Sequence, residues 1–202
     1  MNYPSGIKKQ NNYLINYKNR GMTLEDDINK SNQYYKENNI AYIYKKPTPI
    51  KVTKVEFIGK NKIIKEAFYT EPSTTDYNGI YKGYYIDFEA KETKNKTSFP
   101  LANIHLHQLK HLENISNVGG IGFLIVRFTT LNETYILMNS DLKNYLVNSE
   151  KKSIPHDYFV KHGHIIKEGF RPRINYLNII DNILEVKKWK KRQQKSLIVI
   201  YH

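Results

Sequence analysis

The sequence contains no cysteine. Disulfide staples and thiolate metal sites are therefore excluded, and a reducing, cytoplasmic setting is expected. Long apolar runs are also missing: nothing approaches the roughly 20 residues of a membrane span, and the opening MNYPSGIKKQ lacks the apolar core of a signal peptide. No internal repeat is visible. Acidic residues are the scarce charge, 19 Asp plus Glu against 32 Lys plus Arg, which leaves a formal net charge of +13. That surplus favours an anionic partner such as nucleic acid, and with no apolar span in sight no membrane partner is expected. Charge alone does not decide the point, because the abundance of Asn, Lys, Ile and Tyr is also what an AT-biased coding sequence produces. A length of 202 residues suits one domain with a real core.

Taken in order, residues 1–18 are polar, carry Lys8, Lys9 and Lys18, and show no periodicity, which reads as a flexible basic arm. At Thr23 the pattern turns helical. Thr23 caps, Asp26 reaches back from three residues on, and Glu25, Asp26 and Asp27 suit the positive end of the dipole. Capping and surface solvation are the expected roles of Asp26 and Asp27. The stripe Leu24, Ile28, Tyr35 runs to an end near Asn38-Asn39. A strand over 41–44 and two prolines follow. Alternating runs over 50–57 and 62–69, joined by Gly59-Lys60-Asn61, then predict a β-hairpin. Lys51, Lys54, Lys60, Lys62 and Lys65 make it basic, while Val52, Val55, Phe57, Ile63 and Ile64 are expected to pack.

Further along, the pattern predicts a helix over 101–117 opened by Ser98 and Pro100. A buried central strand over 121–128 (IGFLIVRF) comes next, with a neighbour over 134–138. A short helix over 141–148 and a surface loop or helix over 149–161 complete this part. The chain is basic again at Arg171-Pro172-Arg173 and in KKWKKRQQK around Trp189, a segment able to sit on DNA. SLIVIYH is a candidate extra strand.

The chemistry concentrates in TTDYNGIYKGYYIDFEAK, residues 74–91. A strand through YIDFEAK turns Ile86, Phe88 and Ala90 to one face and Asp87, Glu89 and Lys91 to the other. Asp76, placed before a turn read at Tyr77-Asn78-Gly79, can fold back beside Glu89. Two carboxylates about 4 Å apart repel by roughly 4 kcal/mol at an effective dielectric near 20, and a divalent cation removes that cost. Their hard oxygens suit Mg2+ or Mn2+. Lys91 is then placed to stabilise charge on a phosphate oxygen, the equipment for metal-assisted phosphodiester hydrolysis. For an arbitrary E-x-K a solvated strand face is the commoner explanation; the apolar opposite face and the Asp thirteen residues upstream weaken it here. Asp87, about 6.7 Å from Glu89 along the strand, ranks second as a ligand. His105, His107 and His111 raise a zinc reading through the His107–His111 spacing; it is the minor alternative, because no third ligand is positioned and the nearby acids define a harder-metal site. Gln108 lies on the Ile104, Leu112, Ile115 stripe, where a buried amide needs a partner.

Several runs together carry a family resemblance: NRGMTLEDDIN (19–29), KKPTPI (45–50), the block PSTTDYNGIYKG with YIDFEAKETKNKTSFPL, and RPRINYLNIID. They resemble, in collinear order, the RecU-type Holliday junction resolvases of the PD-(D/E)xK nuclease superfamily. The resemblance implies an α/β, restriction-endonuclease-like core: a central mixed β-sheet flanked by helices, with a projecting basic β-hairpin stalk at about 50–70. The nuclease domain would span 19–186, and a basic tail 187–202. It implies a metal-dependent endonuclease of four-way DNA junctions that nicks paired strands as a homodimer, with one or two Mg2+ or Mn2+ ions per site. Whether a recombinase or branch-migration motor is engaged as a partner is not written in the sequence. By residue, it implies Asp76, Glu89 and Lys91 as catalytic, with Thr74 and Gln108 joining the two carboxylates as metal ligands. Glu25 stands at the site margin, and Arg20, Lys51, Lys54, Lys62, Arg171 and Arg173 face DNA. The alternatives are a junction-binding protein without catalysis and a restriction-like nuclease of duplex DNA.

Overall fold

A computed structural model describes residues 23–69 and 74–185. The expected basic arm, Arg20, the KKWKKRQQK run with Trp189 and the last candidate strand lie outside the described residues.

Helix α1 (Leu24–Glu37) starts as the sequence predicts, with a capping box in which Thr23 and Asp26 each bond the other's backbone, and it stops at Asn38. Strand β1 (Tyr42–Lys45) follows, then a two-stranded hairpin, β2 (Ile50–Ile58) and β3 (Asn61–Tyr69). Among the described residues these strands pair only with each other, and every residue of both is exposed except the half-buried Val55. Val52, Phe57, Ile63 and Ile64, expected to pack, are therefore on the surface: a two-stranded ribbon has no second layer to cover it.

Strands β4 (Tyr77–Tyr81) and β5 (Tyr84–Thr93) form a tight antiparallel pair. The turn is at Lys82-Gly83, not at Tyr77-Asn78-Gly79, which lies inside β4. Both turn residues take positive φ, 49° and 80°, the primed geometry whose twist matches that of the strands. A short strand β6 (Ser98–Pro100) and a single 3-10 turn (Leu101–Asn103) precede helix α2 (Leu106–Asn117), so this helix starts five residues later than predicted. Pro100 opens the 3-10 turn rather than the helix. Strand β7 (Ile121–Phe128) is buried along its whole length, as expected of IGFLIVRF. Strand β8 (Glu133–Met138) and helix α3 (Asn139–Asn148) follow; the stretch left as loop or helix holds β9 (Ser153–Pro155) and α4 (His156–His162), before β10 (His164–Ile165). Residues 176–185 are helical.

The main sheet has the order β1-β4-β5-β7-β8-β10. Among the described residues only its β5–β7 pair is parallel, with α2 in the crossover, so the sheet is mixed. One face packs Ile86, Phe88, Phe123 and Ile125 against Leu24, Ile28 and Tyr35 of α1 and against Tyr176, Leu177 and Ile180. The other packs Leu124, Val126 and Phe128 against Phe99, Ile104, Leu142, Ile154 and Phe159. This is a central mixed sheet flanked by helices, as anticipated.

One feature of this packing fixes the site. Phe88 stacks between Tyr77 (4.9 Å, 9°) and Phe123 (4.8 Å, 10°), which are its register partners on β4 and β7. Such pairs contribute about 0.5–1.5 kcal/mol each beyond burial. A one-residue slip would send every side chain to the wrong face. The ladder therefore holds Asp76, one residue before Tyr77, beside Glu89, one residue after Phe88.

Candidate active site

Asp87 and Glu89 are 0 % exposed, so the polar face of β5 is not a solvated strand face. Part of its cover is α2, which comes close because β7 carries glycine at 122: a Cβ there would lie 2.9 Å from the Leu112 carbonyl.

Asp76 and Glu89 meet across the β4–β5 pair. The Asp76 N–H donates to Glu89 Oε2 (3.1 Å), and the Asp76 carboxylate accepts from the Ala90 N–H (3.3 Å). Lys91 Nζ stands 2.5 Å from Glu89 Oε1 as an ion pair, without the alignment of a hydrogen bond, and among the described residues that oxygen has no hydrogen-bond donor. Burial pushes the Glu89 carboxyl up to about 8; the Asp76 carboxylate adds to the rise and Lys91 offsets part of it. A cleft of about 300 Å3 opens at this point, walled by Thr23, Leu24, Glu25, Asp76, Lys91 and Glu92. A larger hollow of about 560 Å3 lies between α1 and β1 and contains neither Asp76 nor Glu89.

A buried carboxylate and a half-buried one in contact, answered by a single lysine and with one oxygen left without a hydrogen bond, are a donor set short of positive charge. Among the described residues no group of three or more His, Cys, Asp or Glu converges. The set therefore suits a cation that binds through one or two carboxylates and keeps waters, as Mg2+ does, and not a structural zinc. His105 and His107 are exposed and stack on each other (5.3 Å, 9°), and His111 Nε2 turns to Asp87 Oδ2 at 3.1 Å. The zinc reading has no geometry to support it.

The sequence model of the RecU family, Recombination protein U, matches residues 19–182. The chain belongs to the RecU family. Among its relatives, the Holliday junction resolvase RecU of Geobacillus kaustophilus (strain HTA426) is 48% identical over 194 residues, 91% of this chain and 97% of that one. That of Geobacillus sp. (strain WCH70) is 50% identical over 193 residues, covering 90% and 96%. A solved structure of Archaeoglobus fulgidus Hjc, a Holliday junction resolvase from an archaeal hyperthermophile, gives a TM-score of 0.34 at 13% identity over 46% of this chain and 71% of that one. That likeness is too partial to bear on the fold.

Other residues singled out in this RecU-family chain fall at varied distances from the carboxylates. Thr74 is exposed and its hydroxyl accepts from Lys46 Nζ (3.0 Å). Gln108 is buried, and its Oε1 accepts from the His105 N–H (3.0 Å) at the start of α2. Glu25 lines the cleft and pairs with Lys45 (2.6 Å), both about half exposed. Lys51, Lys54 and Lys62 are exposed on the hairpin, and Arg171 is exposed after β10. Arg173 instead turns inward, its Nε donating to Asp27 Oδ1 (3.0 Å).

Asp27 is the clearest correction to the surface reading of α1. It is buried between Arg173 and Arg127, whose Nη2 donates to it at 2.7 Å, because two guanidinium groups replace the water it loses. Sequence reasoning missed Arg127, the one charge in IGFLIVRF, where a charge inside an apolar run was itself the signal. It also missed Glu92, which accepts the Leu24 N–H (2.7 Å) and so ties the first turn of α1 to the site strand. The third omission is Lys46, whose ammonium sits 2.7 Å from Asp87 Oδ2.

Proposed function

We propose that this chain is a Holliday junction resolvase: an endonuclease that hydrolyses phosphodiesters at four-way DNA junctions, working in the cytoplasm as a homodimer with Mg2+ or Mn2+. The observation that carries the reading is the contact of Asp76 with Glu89 beside Lys91. The names of its RecU relatives, similar over nine-tenths of the chain, supply the substrate class. A junction has approximate twofold symmetry, so paired nicks call for two equivalent sites, which a twofold dimer provides.

Asp76 and Glu89 would hold the cation, with Thr74 and Gln108 as auxiliary oxygen donors. When bound, a divalent cation supplies Lewis acidity, acidifying water and neutralising charge on phosphoryl oxygens. The chain's own contributions are separate. Burial of Glu89 excludes bulk water and strengthens every charge interaction around it. Lys91, a quarter exposed, can turn from Glu89 to the phosphate and donate to the oxygen on which negative charge grows as water attacks phosphorus in line and the opposite P–O bond breaks. Lys51, Lys54 and Lys62 on the hairpin, with Arg171, would meet backbone phosphates, which position the duplex arms without reading bases.

The test is incubation of the protein with a labelled four-way junction and a matched linear duplex, with Mg2+ or with chelator. Metal-dependent nicking confined to the junction is expected. Equal cutting of the duplex would make this a restriction-like nuclease, and tight, salt-sensitive junction binding without nicking would make it a binding protein only. Asp76→Ala and Glu89→Ala should bind the junction and leave it intact; nicking by either variant would refute the ligand assignment.

A further inference from the structure

Upstream of the β4–β5 pair, one side chain grips the approach to Asp76. Lys46 follows β1. Its main-chain N–H donates to the Asp76 carbonyl (2.8 Å), and its ammonium donates to Thr75 Oγ1 (2.7 Å), Thr74 Oγ1 (3.0 Å) and Asp87 Oδ2 (2.7 Å). A single residue thus fastens three consecutive positions, 74, 75 and 76, to β5 two places from Glu89. The far end of the fastening is equally well made: the fully buried Asp87 also accepts from the Thr75 hydroxyl and the Tyr85 hydroxyl (3.0 Å), and lies 3.1 Å from His111 Nε2. With so many donors, Asp87 has little capacity left for a cation, which removes it as a rival to Glu89.

We propose that Lys46 and Asp87 are a positioning pair that sets the spacing of Asp76 from Glu89 and thereby the affinity of the two carboxylates for a divalent cation. The inference rests on the carboxylate-pair reading above. Two other bonds join Asp76 to β5, one to the Glu89 carboxylate and one from Ala90 to the Asp76 carboxylate. Both use the groups that a cation would draw on, so they loosen as it binds. The Lys46 fastening uses none of those carboxylate oxygens; its bond to Thr74 yields if that hydroxyl joins the cation, while those to the Asp76 carbonyl, Thr75 and Asp87 persist. Ligands held at their final spacing before the ion arrives bind it more tightly, because less ordering is left to be done, and outer partners of this kind commonly change metal affinity by about 10–100-fold.

The test compares the wild-type full chain with Lys46→Met and with Lys46→Met/Asp87→Asn, the latter leaving no unpaired buried charge. Calorimetric titration with Mn2+ in the absence of DNA, thermal melts and the Mg2+ dependence of junction nicking are measured on each. Expected are cooperative melts, Mn2+ dissociation constants raised about 10–100-fold, and a matching rise in the Mg2+ needed for half-maximal nicking, with little change in rate at saturating Mg2+. Lowered melting midpoints with wild-type Mn2+ affinity would overturn the proposal, as would a double variant that no longer melts cooperatively, since the pair would then serve the fold alone. A wild-type chain that binds no Mn2+ would remove the carboxylate-pair reading itself, and this inference with it.

Discussion

Asp87 and Glu89 stand two residues apart on the same face of β5, both fully buried, in opposite surroundings. Asp87 lies among an ammonium, two hydroxyls and an imidazole. Glu89 has one backbone N–H, one misaligned ammonium and a second carboxylate against it. Equal burial therefore does not mean equal roles. A carboxylate whose lone pairs are all answered stabilises the fold, and one left short stores a cost that a cation can relieve.

The largest test of this contrast is catalytic. Glu89→Ala should lower junction nicking by about a thousandfold or more, the scale of losing several kcal/mol of charge stabilisation, while junction binding by gel shift stays close to wild type. Asp87→Ala should act first on stability. It leaves Lys46, whose side chain is only 14% exposed, without its partner carboxylate and strips the buried Thr75 hydroxyl and the Tyr85 hydroxyl of their acceptor, so denaturant unfolding should show a loss of about 3 kcal/mol. If the two variants exchanged these effects, the assignment of roles would be reversed.

Removing the Glu89 charge should do the opposite to the metal-free protein. Its carboxyl is raised from 4.5 to about 8 on folding, by burial first and by Asp76 second. The stability it contributes is therefore full below pH 4.5 and is lost as the pH climbs to about 8. Glu89→Gln does not titrate, so without metal its melting midpoint should exceed that of wild type by a margin that widens up to about pH 8 and then levels. Added Mg2+ should raise the wild-type midpoint and leave the variant's unchanged. A margin independent of pH would mean that Glu89 is not the strained acid.

The smallest effects belong to the hairpin, which the site does not lean on. Lys54→Ala should leave the melt within about 0.5 kcal/mol of wild type and reduce the salt slope of junction binding by about one. An unchanged slope would take Lys54 off the DNA.

Some of this was legible in the chain. The capping box at Thr23 and Asp26, the buried IGFLIVRF strand and the folding of Asp76 back onto Glu89 are written in single short stretches, the last spanning thirteen residues, where backbone geometry leaves few choices. The position of the turn was misread because Asn78-Gly79 is a strong turn signal, and the aromatic stack of Tyr77 on Phe88 and Phe123 overrides it. The helix over the site began late for a similar reason: residues 98–100 pair with β9, a strand more than fifty residues on.

By itself the sequence determined which atoms could do chemistry and which segments would be helix or strand, since those depend on residue type and short spacing. Only the tertiary structure decided which acid is satisfied and which is left wanting. Asp27 meets Arg127 one hundred residues away, Glu92 meets Leu24 across 68, and Lys46 meets Asp87 across 41. A carboxylate's energy is set by the charges and donors within a few ångströms of it, and packing of the whole sheet is what brings those groups there.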